Sequence, residues 1–197
     1  MRITVIANSK RERPSFKVAL LIDEMLLRQG VETDLLDLAD YKIPFCGDEE
    51  EYVLEIEMIR NKLLNADAFV MVSSETHGSF SGVLKNVLDY YGEEFSRKPI
   101  AVATASTDKS GGINASVQLQ HVILGLGAYP MPVKLTVPEV QSAFDKNFQV
   151  LDPLVTQMAE QFVEELLWFS RAIWNAKQKT MSTGLKLLSK HIRMREC

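Results

Sequence analysis

The chain has 197 residues, 46% of them apolar and 24% charged, which suits one folded globular domain rather than a disordered or repetitive chain. Its net charge of −4 argues against a nucleic-acid binder, and its apolar runs fall far short of the roughly 20 residues that span a bilayer. Cys46 and Cys197 offer neither metal-ligand nor redox spacing, so the expected setting is reducing and cytoplasmic, with no metal.

Arg2 to Ala7 is apolar and β-branched, too short for a signal-peptide core, and reads as a buried strand. Ser15 to Gln29 places Phe16, Ala19, Leu20, Ile22, Met25 and Leu26 near helical spacing, and Gly30 supplies a stop. Val31 to Leu38 is a second strand, and Leu54 to Asn65 a helix. Ala66 to Ser73 is a strongly apolar central strand. Ser81 to Phe95 reads as a helix, Pro99 to Ala105 as a strand and Ile113 to Leu126 as a helix closed by Gly127. Val133 to Val137 is the fifth strand. Leu151 to Lys177 is a long helix with a broad apolar face. Met25, Met58 and Met158 are expected in the core. The division is a domain over 1–177 and a basic amphipathic tail over 178–197, read as a dimer arm, a frayed end or a membrane-surface helix in that order.

Strand and helix alternate five times, and parallel strands need helical crossovers. The expected fold is α/β: a doubly wound five-stranded parallel sheet of flavodoxin type, order 2-1-3-4-5, with a C-terminal helical extension. Such sheets bind ligands at the carboxyl ends of their strands, so the loops after the first, third and fourth strands should carry the chemistry. The first, Asn8 to Ser15, opens a helix whose free N–H groups favour a phosphate, with Ser9, Arg11, Arg13 and Ser15 as donors or simply as a polar loop with an N-cap. It contains neither a Gly-rich dinucleotide fingerprint nor a Walker sequence. The second, Ser73 to Gly82, and the third, Thr104 to Gly112, are small, polar and glycine-bearing, suited to a flat ligand or to ordinary turns. Lys85 and Asp89 sit four apart and should pair on one helix, and Asn86 should tie the second loop to its helix. His121 reads as a packed or interface residue.

These loops resemble the NAD(P)H-dependent FMN reductases. Ser9, Arg11 and Ser15 match that family's phosphate loop, with Asn8 where it has glycine and Lys17 where asparagine is common. Glu75, Gly82, Leu84, Lys85, Asn86, Asp89 and the aromatic Tyr90 match its second motif, while Ser74, Thr76, His77 and Ser81 depart from it. The third region resembles its Gly-Gly and following helix, with Gln118-Leu119 and Leu126-Gly127-Ala128. The resemblance covers about residues 1 to 138.

It implies an FMN-dependent oxidoreductase passing hydride from NAD(P)H through FMN to a small acceptor such as a flavin, quinone, azo compound or metal oxyanion. The implied flavin-binding positions are Ser9, Arg11, Ser15, Phe16 and Lys17 in the first loop and helix, Ser74, Glu75, Thr76, His77 and Gly78 in the second, and Ser106, Gly111 and Gly112 in the third. No side chain is assigned as catalytic, because the flavin carries the chemistry. A homodimer or homotetramer is implied. An electron carrier or redox sensor, and a flavin-free interaction protein, stay open as alternatives.

Overall fold

The computed structural model describes residues 1–8, 14–48 and 54–193. Five strands, β1 (Arg2–Ala7), β2 (Glu32–Asp37), β3 (Ala68–Ser74), β4 (Pro99–Ala105) and β5 (Tyr129–Val137), form one sheet in the order β2-β1-β3-β4-β5. Every neighbouring pair is parallel. The helices are α1 (Pro14–Arg28), α2 (Leu54–Asn65), α3 (Gly82–Tyr90), α4 (Ile113–Gly125), the short α5 (Val140–Ala143) and α6 (Pro153–Arg193).

The sheet is buried on both faces because side chains alternate along each strand. Ile3, Val5, Val70, Val72, Ala101 and Ala103 face one core, shared with Val18, Ile22 and Leu26 of α1 and Phe162 and Leu166 of α6. Ile6, Phe69, Met71, Ile100 and Val102 face the other, under Ile59 and Leu63 of α2, Leu84 and Leu88 of α3, and Leu119 and Ile123 of α4. Each large apolar side chain among them contributes about 1.5–3 kcal/mol by leaving water. Tyr91 is also buried there, its hydroxyl donating to the Ile56 carbonyl at 2.8 Å.

Three expectations need adjusting. The fifth strand begins four residues earlier than Val133, at Tyr129, since Pro130 and Pro132 are tolerated on an edge strand; the register against β4 shifts between Ile100 and Val102 beside them. The helix after β3 ends at Tyr90 rather than Phe95, and Tyr91 and Phe95 fold back into the core through turns. Met58 is 46% exposed rather than in the core, on the outer side of α2. Helix α6 opens with Pro153 in its first turn, where a missing N–H costs nothing, and Asp152 Oδ1 accepts from Leu154 N at 2.9 Å. Its backbone runs through residue 178 without a break.

At the opposite end of the sheet from the loops, Lys98 precedes β4. Its Nζ donates to the carbonyls of Leu63 (2.8 Å) and Leu64 (3.3 Å), closing the end of α2, and lies 5.4 Å from the Phe69 ring centroid. Burial, and then the neighbouring Lys177 charge, lower its pKa to about 8. Between that value and the ordinary 10.5 the unfolded chain holds a proton that the folded chain has released, so this group makes stability rise with pH. Burial pushes the Tyr91 phenol up from 10.0, which gives the opposite slope above that pH. Urea denaturation from pH 8 to 10 should therefore show the native chain gaining stability relative to Lys98→Met; a pH-independent difference between the two overturns this.

Candidate active site

The carboxyl ends of β1, β3 and β4 meet at one edge of the sheet, where the strand order reverses between β1 and β3. Of the first loop, Asn8 is described; Ser9 and Arg11 lie outside the described residues. Asn8 Nδ2 donates to Ser81 Oγ at 2.6 Å. Ser81 caps α3, its Oγ accepting from Leu84 N (3.2 Å), and its own N–H donates to Ser73 Oγ (3.1 Å). Thus Asn8 and Ser81, both departures from the family pattern, form a strut joining the ends of β1 and β3 to the start of α3.

Beyond the first loop, Ser15 is buried in the first turn of α1. Phe16 is 5% exposed and sits in the hydrophobic core, among the residues beneath the sheet. Lys17 Nζ donates to the Asp145 carbonyl at 2.7 Å and lies 5.3 Å from the Phe148 ring centroid. Its ammonium is thereby committed to a small hairpin, 144–150, closed by pairing of Phe144 with Val150 and by Asp145 Oδ1 accepting from Asn147 N and Gln149 N. No pattern in the sequence marked that hairpin.

The second loop is a tight turn. Thr76 N donates to Ser79 O (2.8 Å) and Ser79 N to Thr76 O (3.1 Å). Its two central residues, His77 (φ 52°) and Gly78 (φ 74°), are both left-handed, as a type I′ turn requires. A glycine takes this conformation freely; His77 does so at a cost, which the surrounding bonds must offset. Gln118 of α4 supplies two of them: its Nε2 donates to Gly78 O and its Oε1 accepts from Ser79 Oγ, each at 2.7 Å. Glu75 supplies the rest of the anchorage. Its N–H donates to Ala105 O (3.1 Å), and its carboxylate accepts from Ala115 N (3.0 Å) and Asn114 Nδ2 (3.2 Å), capping α4. Thr76 and His77 stay exposed at the tip, and Ser74 is the half-buried last residue of β3.

The third loop is pinned to β5. Ser106 N donates to Val137 O and Val140 N to Ser106 O. Ser106 Oγ donates to Asp108 Oδ1 (2.9 Å), which also accepts from Ser110 N (2.7 Å). Hydrogen bonds from Ser110, then from Ser106, hold the Asp108 carboxyl below its ordinary range. Gly111 and Gly112 have φ 64° and 83°. A Cβ on Gly112 would stand 2.9 Å from Thr104 Cβ, and one on Gly111 would stand 3.0 Å from Thr136 Cβ. The glycine pair is therefore required by close packing on the ends of β4 and β5, whatever else it touches.

Asn86 does not tie the second loop. Its Nδ2 donates to Pro44 O (2.7 Å) and its Oδ1 accepts from Cys46 N (2.9 Å), while Tyr90 OH donates to Pro44 O (3.1 Å). The Asn and the aromatic of this motif, one helical turn apart, secure the segment after β2 instead. Lys85 and Asp89 pair at 2.5 Å along the same helix. Gln118 went unassigned in the sequence, although it follows Asn114 by four residues and so shares its helix face. Among the described residues no group of three or more His, Cys, Asp or Glu side chains is placed to hold a metal ion.

The family model described as NADPH-dependent FMN reductase matches residues 1–142. The chain is 28% identical over 181 residues to an NAD(P)H-dependent FMN reductase of Pseudomonas aeruginosa, spanning 87% of this chain and 96% of that one. It is 30% identical over 153 residues to an FMN-dependent NADPH-azoreductase of Staphylococcus saprophyticus, spanning 70% and 78%. Among solved structures it is similar to FerB, a flavoenzyme NAD(P)H:(acceptor) oxidoreductase of Paracoccus denitrificans. The TM-score is 0.77 at 20% identity, over 87% of this chain and 97% of that one.

Replacing Gly112 with valine should cost at least about 2 kcal/mol, since a side chain there is both strained at φ 83° and pressed against Thr104. Chemical denaturation measures this, and a variant as stable as the native chain refutes the close packing.

Proposed function

The chain belongs to the NADPH-dependent FMN reductase family, and we propose that it takes hydride from NAD(P)H and delivers reducing equivalents to a small acceptor such as a quinone, flavin, azo compound or metal oxyanion. The observation that carries this reading is the meeting of the end of β1, the start of α1 and the loops after β3 and β4 at one sheet edge, with the loop after β3 locked from behind by Glu75 and Gln118.

The residues fit a flat ring with a phosphate tail. α3 and α4 each have a first-turn N–H already taken, by Ser81 and Glu75 respectively. The start of α1 lies at the same edge, and its dipole favours an anion. We assign the phosphate to Ser15 with Ser9 and Arg11. Phe16 then supports the turn from the core, and Lys17 braces it against the 144–150 hairpin while adding positive charge nearby. Ser74, Glu75, Thr76, His77 and Gly78 would border one side of the ring and Ser106, Gly111 and Gly112 the other. When bound, FMN supplies the hydride acceptance that no side chain of this chain provides. The protein's part is preorganisation: backbone N–H groups of a rigid turn need no reorientation as negative charge develops beside them. Glu75 and Gln118 act as positioning residues.

No helix among the described residues is long and apolar enough to cross a membrane. We propose a cytoplasmic protein with a flavin-binding domain over 1–177. We further propose a homodimer or homotetramer, supported by the exposed Ile113, Val117 and Leu124 on α4.

Purified protein given FMN and desalted should keep about one flavin per chain, and anaerobic NADPH should bleach it; a colourless protein refutes the assignment. Arg11→Ala should weaken FMN binding at least tenfold, about 1.4 kcal/mol, in a fluorescence titration. Unchanged affinity would remove Arg11 from the phosphate site.

A further inference from the structure

The loop after β3 holds His77 against its backbone preference. The residue fills the first central position of the turn at φ 52°, a place that glycine takes without steric cost. The turn is fixed from outside itself: Gln118 bonds Gly78 O and Ser79 Oγ, and Glu75 is bound to Ala115 N and Asn114 Nδ2. None of these bonds uses the imidazole. His77 is exposed, and among the described residues its side chain has no hydrogen-bond or ion-pair partner. A left-handed residue with a free side chain on a rigid tip costs stability and regains none of it through contacts.

Proton balance gives that side chain a task. A quinone that takes two electrons and one proton from NAD(P)H, as a hydride equivalent, needs a second proton to leave as the quinol. The described carboxylates beside the turn are committed elsewhere. Glu75 caps α4, and Asp108 is bound by Ser106 Oγ and Ser110 N, which hold its carboxyl below the ordinary range and keep it ionised. Lys109 is exposed in the third loop, but an ammonium is a far weaker acid than an imidazolium. The other titratable groups on the neighbouring helices are Lys85 and Asp89 of α3, paired with each other, and His121 of α4, about 12 Å along the axis from Ile113.

We propose that His77 is the proton donor to a quinone reduced at this edge, an assignment that rests on the flavin reading above. The imidazolium N–H bond breaks as an O–H bond forms on the quinone oxygen that did not receive the hydride equivalent. The neutral imidazole then regains a proton from water. The electron pair comes from NAD(P)H, so NAD(P)H, one proton and quinone give NAD(P)⁺ and quinol. The exposed tip is open to acceptor and to water alike, and the fixed turn spares the donor a reorientation during the step. A one-electron acceptor such as ferricyanide takes up no proton and has no use for His77.

The test compares 1,4-benzoquinone with ferricyanide, at saturating FMN, in the full native chain and in His77→Asn and His77→Gly, two residues that accept a left-handed turn. In each variant kcat for benzoquinone should fall at least about tenfold more than kcat for ferricyanide. Free imidazole should restore part of the benzoquinone rate in His77→Gly. The native benzoquinone rate should fall with rising pH relative to the ferricyanide rate, and both variants should lose that fall. Two readouts are independent of turnover: FMN affinity by fluorescence titration should change less than the benzoquinone rate, and His77→Gly should melt no lower than the native chain. Equal losses with both acceptors, or a benzoquinone rate insensitive to both substitutions, overturns the proposal. So does a loss of FMN affinity that matches the loss of rate, or a lower melting temperature in both variants, since either would give the imidazole a binding or packing role. A native chain that retains no FMN overturns the flavin reading itself, and this assignment with it.

Discussion

The near-complete burial of β3 and β4 governs this molecule. Both strands are covered on both faces, so their backbone groups must pair within the sheet and their side chains must be apolar almost throughout. A parallel sheet then forces each chain to leave at the carboxyl edge and return by a helix. Polar atoms and helix starts accumulate at that edge because the rest of the sheet cannot hold them. The candidate site is thus a consequence of the core, not an addition to it.

At the edge, the chain uses some of those helix starts itself. Ser81 closes α3 and Glu75 closes α4, and in both cases the cap also holds a neighbouring segment: Ser81 reaches Asn8, and Glu75 fastens a turn to α4. The residues that appear idiosyncratic in the motif acquire reasons here. Asn8 replaces a glycine and becomes a strut. His77 sits in a left-handed turn and is kept there by Gln118. The result is a rim of turns tied to α4 by side-chain hydrogen bonds.

The far end of the molecule follows different rules. Among the residues of helix α6 whose burial is described, Ser170 is the last in the core, and the sequence turns from acidic to basic at the same place.

Alternating apolar runs and amphipathic stretches were enough to specify the five strands, their order and the edge at which the polar loops gather, because the period of burial is written in the side chains themselves. The central strands and α2 could be bounded almost to the residue for the same reason. The edge strand β5 extends back past Val133 through Pro130 and Pro132, whose tolerance depends on having a neighbour on one side only. Family motifs marked the loops, yet the partners within them depended on tertiary structure. Asn86 reaches 40 residues back to Cys46, Glu75 reaches 40 forward to Ala115 and Gln118 reaches 40 back to Gly78. Local periodicity carries no information about bonds of such separation. They exist only once the sheet has brought distant loops to one edge, and that is where the site acquires its shape.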